Sequence, residues 1–344
     1  MPGDRATAEV KEMSRSESPA EVGAANAPGK TSAGKVVIVG AGAVGTTFAY
    51  ALQISGVARE IVLIDVDRKR AEGEVTDLRH GLFFTPSANI RAGDYEDCVG
   101  ADVVVITAGA KQEPGQTRID LVQTNAGICK DIVGKIMHKT CEPILLMVTN
   151  PVDVLTYAAL QYSGLPRERV IGSGTVLDSA RFRYLLSRHC RVNPHNVHAY
   201  VLGEHGDSEV ATWSMTHIAG MPMNEYCAVC GRECSESERE GIADRVRDSA
   251  YHIIDAKGGT NYAVGLALVR IATSILRDEN SVLTVSTLLE GELGIEDVCL
   301  SIPAIVNRTG AERIVPASLS DDELAALRSS AQALKKVLRD IGLQ

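Results

Sequence analysis

The chain has 344 residues, enough for two lobes of ordinary domain size. Its 45% apolar and 23% charged content is globular, which excludes a mostly disordered chain. A formal charge of −9 argues against nucleic acid as a partner, because phosphate binding needs an excess of Lys and Arg.

Residues 1–34 mix Ala, Ser, Gly, Pro and charges without periodicity, the composition of a flexible arm. They contain no apolar signal core, and Asp4, Glu9, Glu12, Glu17 and Glu21 are unlike a transit peptide. No apolar run approaches the roughly 20 residues that span a bilayer. A cytoplasmic protein with no membrane partner is expected, its eight cysteines reduced.

The pattern then becomes regular. Lys35 to Val39 is a β-branched apolar run that predicts a buried strand, and Val44 to Ser55 predicts a helix stopped by Gly56. Further strands are predicted at Glu60 to Ile64, Asp102 to Thr107 and Ile144 to Val148, with a helix over Ile119 to Met137. Strands alternating with helices imply a parallel sheet covered on both faces. Beyond about Asn150 longer helices are predicted at Asp178 to Ser187, Glu236 to Ala256, Asn261 to Arg277 and Asp321 to Leu338. Strand-like runs lie at Val197 to Leu202, Val282 to Leu288 and Val298 to Ala304, which reads as a mixed α+β second lobe.

The segment VVIVGAGAVG places Gly40, Gly42 and Gly45, with Val44 among them, between a strand and a helix. Such glycines permit a tight turn, close backbone approach to a pyrophosphate and close helix packing. The helix start offers free N–H groups and a positive dipole end to phosphates. Asp65 closes the second strand, where a carboxylate bonds a ribose 2′-hydroxyl and repels a 2′-phosphate. The expected cofactor is therefore NAD rather than NADP.

A nicotinamide enzyme needs its own proton donor and acceptor. His205 in GEHGDSE suits this role, since imidazole exchanges protons near neutrality. Asp178 in VLDSARFR opens a helix and is a candidate to orient it, although spacing alone does not establish the pair. Arg181, three residues on, shares its side of the helix and offers a two-pronged grip on a carboxylate. Arg118 ends AGAKQEPGQTR, a Gly- and Pro-bearing segment with the character of a lid that brings positive charge to a polarised carbonyl.

These motifs, with VTNPVDV and VIGSGTVLDSARFR, resemble those of the L-lactate/L-malate dehydrogenase family over about residues 35 to 340. The resemblance implies an α/β fold: a Rossmann doubly wound parallel sheet over 35–173 and an α+β catalytic domain over 174–344. It implies His205 as acid/base, Asp178 as its partner, Arg181 as carboxylate clamp and Arg118 as polarising arginine. Asn150 would contact substrate and nicotinamide, Ser173 the carboxamide region, and Thr260 the substrate pocket. Gln112 holds the lid position that separates lactate from malate in the family. Without a cation there, a second carboxylate would be buried unpaired, so pyruvate and L-lactate are the expected substrates. Oxaloacetate and malate, or a wider set of 2-hydroxy acids, are the alternative, and a non-catalytic NAD-sensing protein on the same scaffold is another.

Arg183 and His198 match the positions at which bacterial members activated by fructose 1,6-bisphosphate bind phosphate across a subunit interface. The resemblance thus points to a homotetramer and a bisphosphate effector. Gln116 departs from the acidic or apolar residues more familiar at its position, and the arm has no counterpart in typical bacterial members. Cys227, Cys230 and Cys234 cluster without a second ligand pair, so no metal is expected and three free surface thiols are.

Overall fold

Lys35–Val39 forms β1, Ala43–Ser55 forms α1 and Glu60–Ile64 forms β2. In this computed structural model, residues 34–111, 117–140, 142–231 and 234–344 are described. The proposed arm, except for Gly34, and Gln112 and Gln116 fall outside them. The first half continues with α2 (Arg68–His80), β3 (Asn89–Ala92), β4 (Val103–Ile106), α3 (Arg118–Lys139), β5 (Ile144–Met147), α4 (Val152–Ser163) and β6 (Val170–Gly172). The second half contains α5 (Val176–Cys190), β7 (Val197–Leu202), β8 (Val210–Ile218), β9 (Met221–Pro222), α6 (Met223–Val229), α7 (Glu236–Lys257) and α8 (Tyr262–Arg277). It ends with β10 (Ser281–Glu290), β11 (Glu296–Asn307), β12 (Gly310–Ile314) and α9 (Asp321–Asp340).

Strands β1 to β6 are parallel, in the order β6-β5-β4-β1-β2-β3. Alternate residues of β1 face opposite cores, as a sheet covered on both sides requires. Val36 and Ile38 pack with Phe48 and Leu52 of α1 and Ile271 of α8, whereas Val37 and Val39 pack with Val133 and Ile136 of α3 and Leu155 of α4. Because β1 lies between β2 and β4, the chain order reverses there, and a crevice opens beyond the carboxyl ends of β1 and β4.

The two halves share this sheet, a feature that element order alone does not disclose. β10 joins antiparallel to β6 through Ser286 and Gly172, and β11 and β12 extend the sheet further. A separate three-stranded sheet, β7-β8-β9, carries α5, α6 and α7 on an apolar cluster that includes Phe182, Leu186, Val201 and Ile242. Phe182 meets Trp213 edge-on at 5.0 Å between ring centroids.

Candidate active site

The glycine turn is built from backbone. Gly40 adopts φ +113, a left-handed value that side chains disfavour, and its N–H donates to Ile64 O at 2.7 Å. A Cβ on Gly45 would lie 2.0 Å from Gly40 O, so only glycine lets α1 close on the turn. Gly42, by contrast, would place a Cβ in open space. The tight glycine is therefore internal, and the open one faces the crevice at the N-terminus of α1. Val44 lies half-buried in the first turn against the core.

Asp65 sits at the end of β2 and accepts Ala41 N–H at 2.7 Å and Asp67 N–H at 2.9 Å. Each oxygen keeps a lone-pair direction for a further donor, such as a ribose hydroxyl. An open Gly42, free N–H groups at the helix start and a carboxylate opposite fit the pyrophosphate and ribose of NAD.

Across the crevice the predicted proton-transfer residues come together. The side chain of Asp178, in the first turn of α5, is only 2% exposed, while that of His205, on the loop after β7, is 24% exposed. His205 Nδ1 meets Asp178 Oδ2 at 2.5 Å. A carboxylate only accepts, so Nδ1 carries the hydrogen. Arg181 Nη1 donates to the other oxygen, Asp178 Oδ1, at 2.7 Å. Burial disfavours the imidazolium, but Asp178, with help from Asp153 and Glu209, outweighs it and lifts His205 to about 9. Burial also opposes ionisation of Asp178, but His205 and Arg181 hold that carboxyl below its usual range.

Residues to which the sequence assigned no role fix this geometry. Ser301 of β11 exchanges both backbone hydrogen bonds with Gly203, each at 2.9 Å, and its hydroxyl accepts Thr175 N–H at 3.1 Å. One residue thus anchors the chain just before His205 and just before Asp178. Asp153, buried at the start of α4, accepts the His205 N–H at 2.8 Å, and burial pushes its carboxyl up to about 6. Glu209 is raised to about 8, first by burial and then by Asp178. Asp153 and Glu209 lie within the VTNPVDV and GEHGDSE motifs but drew no role from the sequence, and Ser301 lies in neither.

The other predicted residues are held by their own local partners. Asn150 is exposed after β5, and its carbonyl accepts from Asn125 Nδ2 at 3.0 Å; Asn125 Oδ1 accepts Ala110 N–H at 2.8 Å. Buried Asn125, also unforeseen, therefore ties the Asn150 loop to the backbone of Ala110. Ser173 follows β6, its N–H bonded to Met147 O at 2.8 Å. Thr260 lies between α7 and α8, next to Asn261, whose side chain bonds Thr47 of α1 at 2.9 Å. Arg118 opens α3, capped by Thr117 and Asp120, instead of ending a loop. Arg183 points away from Arg181: its Nε bonds Ala199 O at 2.9 Å, and its guanidinium lies over Tyr200 at 5.0 Å. His198, adjacent to Ala199, is exposed. Cys227, Cys230 and Cys234 are free thiols, as expected, but half-buried, with Cys227 and Cys234 packed against the apolar cluster of α5 and β8.

A Rossmann sheet with this turn and acid, facing a His–Asp pair and an arginine, defines an NAD-dependent oxidoreductase. Residues 34–172 match the model of the lactate/malate dehydrogenase NAD-binding domain, and 175–342 that of the family's alpha/beta C-terminal domain. The chain belongs to the lactate/malate dehydrogenase family. It is 55% identical over 310 residues to an L-lactate dehydrogenase of Treponema denticola, covering 89% of this chain and 98% of that one. It is 52% identical over 309 residues to an L-lactate dehydrogenase of Thermoanaerobacter sp. (strain X514), covering 90% and 99%. The ligand-bound minor L-lactate dehydrogenase of Enterococcus mundtii superposes with TM-score 0.89 at 46% identity, over 92% of this chain and 100% of that one. A lactate dehydrogenase from a Medee basin deep-sea metagenome gives TM-score 0.88 at 46% identity, over 90% and 98%.

Proposed function

We propose that this protein interconverts pyruvate and L-lactate. The observation that carries the proposal is the shared carboxylate of Asp178, which holds His205 on one oxygen and Arg181 on the other. NAD, when bound, supplies or accepts the hydride; this chain's residues orient the acid and move the proton. With Nδ1 committed to Asp178, Nε2 is the nitrogen that gives a proton to the carbonyl oxygen in pyruvate reduction and takes it back in lactate oxidation. The Asp178 carboxylate stabilises the imidazolium before transfer. A guanidinium carries five N–H donors, so Arg181 keeps a pair for the substrate carboxylate while Nη1 remains on Asp178.

In this reading Arg118 polarises the carbonyl, Asn150 and Thr260 line the substrate side, and Ser173 lies toward the carboxamide. Gln112 rejects a second carboxylate because it offers dipoles and no charge. The cofactor domain spans 35–173 and the catalytic domain 174–344.

The same reading includes fructose 1,6-bisphosphate bound by Arg183 and His198 where subunits of a homotetramer meet. Support for the effector is that Arg183 bonds the carbonyl of Ala199, the residue next to His198, and that His198 is exposed. Support for self-association is a set of exposed apolar side chains on α1, α7 and α8 and in the turn after α2, including Phe83 at 89%, Tyr262 at 71% and Leu266 at 65%.

The test follows NADH absorbance with pyruvate and with oxaloacetate, each with and without the bisphosphate. The proposal expects faster turnover with pyruvate and stimulation by the effector. Preference for oxaloacetate would overturn the substrate, and no stimulation or change of assembly would overturn the effector.

A further inference from the structure

Catalysis leaves the thiol cluster without a role. Cys190 ends α5, Cys227 lies on α6, Cys230 caps that helix, and Cys234 directly precedes Ser235, the N-cap of α7. Gly231 turns the chain back with φ +70. Cys227 and Cys234 pack against the same apolar cluster, and Cys234 stands close enough to the Cys227 thiol to oppose its ionisation, while Cys230 Sγ donates to the Cys227 carbonyl at 3.6 Å. Cys227, Cys230 and Cys234 are half-buried, with Cys190 buried beside them. Among the described residues no group of three or more His, Cys, Asp or Glu side chains is arranged to hold a metal ion, which favours sulfur–sulfur chemistry over coordination.

We propose that Cys227 and Cys234 are a reversible disulfide pair that staples the end of α6 to the start of α7. Cys230, three residues from Cys227 on the same helical surface, has its thiol turned to the backbone and is the bystander. The oxidant is a hydroperoxide such as hydrogen peroxide. The Cys234 thiolate attacks a peroxide oxygen: an S–O bond forms, the O–O bond breaks, and hydroxide leaves and takes up the thiol proton as water. Cys227 sulfur then attacks that sulfenic acid; the S–S bond forms, the S–O bond breaks, and a second water leaves. Two thiols lose two hydrogens and two electrons, and the peroxide is reduced to water. Burial and the neighbouring thiols push Cys227 up to about 12, so it stays a thiol, is not the group that attacks the peroxide, and gives up its proton only as the S–S bond forms. A dithiol reverses the product.

Arg232 lies between the paired cysteines in sequence, so trypsin separates 192–232 from 233–239. The test treats the reduced full-length protein with hydrogen peroxide, blocks remaining thiols, and maps tryptic peptides without reductant. The expected product is the two peptides linked, lighter than their sum by two hydrogens and separated again by dithiothreitol. Cys230→Ser must retain the link and Cys227→Ser must lose it. The reverse pattern, no linked peptide from wild type, or co-purified zinc that shields these thiols from peroxide would overturn the proposal. Wild-type mapping alone already decides whether Cys234 is joined, so an unstable variant leaves the test intact.

Discussion

At the glycine turn, parts close in sequence meet through backbone: Asp65 holds Ala41 N–H from 24 residues away, and Gly40 and Gly45 touch across one turn. In the cleft, side chains do the chemistry, and distant chain positions them. Ser301 reaches Thr175 across 126 residues, and His205 reaches Asp153 across 52. The cofactor site is thus a local motif, whereas the reaction centre depends on β11 joining the sheet of the first half. Damage to the first should separate into folding and binding effects residue by residue. Damage to the second should appear mainly in turnover.

The largest effect is expected from His205→Ala, which should lower kcat for pyruvate by about 10²–10⁴-fold, the range of general acid catalysis, in steady-state assays. NADH affinity, read by fluorescence titration, should change little. Next, Arg181→Lys replaces a two-pronged donor by a point charge. A loss of about 2 kcal/mol corresponds to roughly a 30-fold weaker kcat/KM for pyruvate.

The glycines provide a sharper division. Gly45→Ala forces a Cβ onto Gly40 O and should destabilise the fold by about 1–3 kcal/mol in urea unfolding. Gly42→Ala meets no protein atom, so stability should stay within about 0.5 kcal/mol while NADH binding weakens. Equal losses of stability in the two variants would break the distinction between the internal glycine and the crevice glycine. The smallest effect is expected from Gln112→Arg, where oxaloacetate should gain on pyruvate by about tenfold, through one added charged hydrogen bond. An unchanged ratio would remove Gln112 from the account of specificity.

Legibility follows the same division. β1 and β2 occupy the runs predicted for them, since buried parallel strands are continuous apolar stretches, and β7 does so although His198 is exposed on it. α2 escapes detection because RKRAEGEVTDLRH buries only Ala71, Val75 and Leu78. α4 is obscured for the opposite reason: Val152 to Leu160 are all buried, leaving no polar stripe to set a period. His205, Asp178 and Arg181 could be picked out by residue type and motif. Their shared carboxylate could not, nor could the supports from Asp153, Asn125 and Ser301, whose partners are fixed only by tertiary packing.

The most direct test of the account is the pH dependence of kcat/KM for pyruvate reduction in wild type and Asp178→Asn. With Asp178 charged, His205 titrates at about 9, so the proton donor persists through neutrality and reduction should fall only as pH rises past that value. Without that carboxylate, burial dominates, and the break should drop toward or below the ordinary imidazole value of 6.5. A break that stays near 9 in the variant would contradict the claim that Asp178 makes His205 the donor.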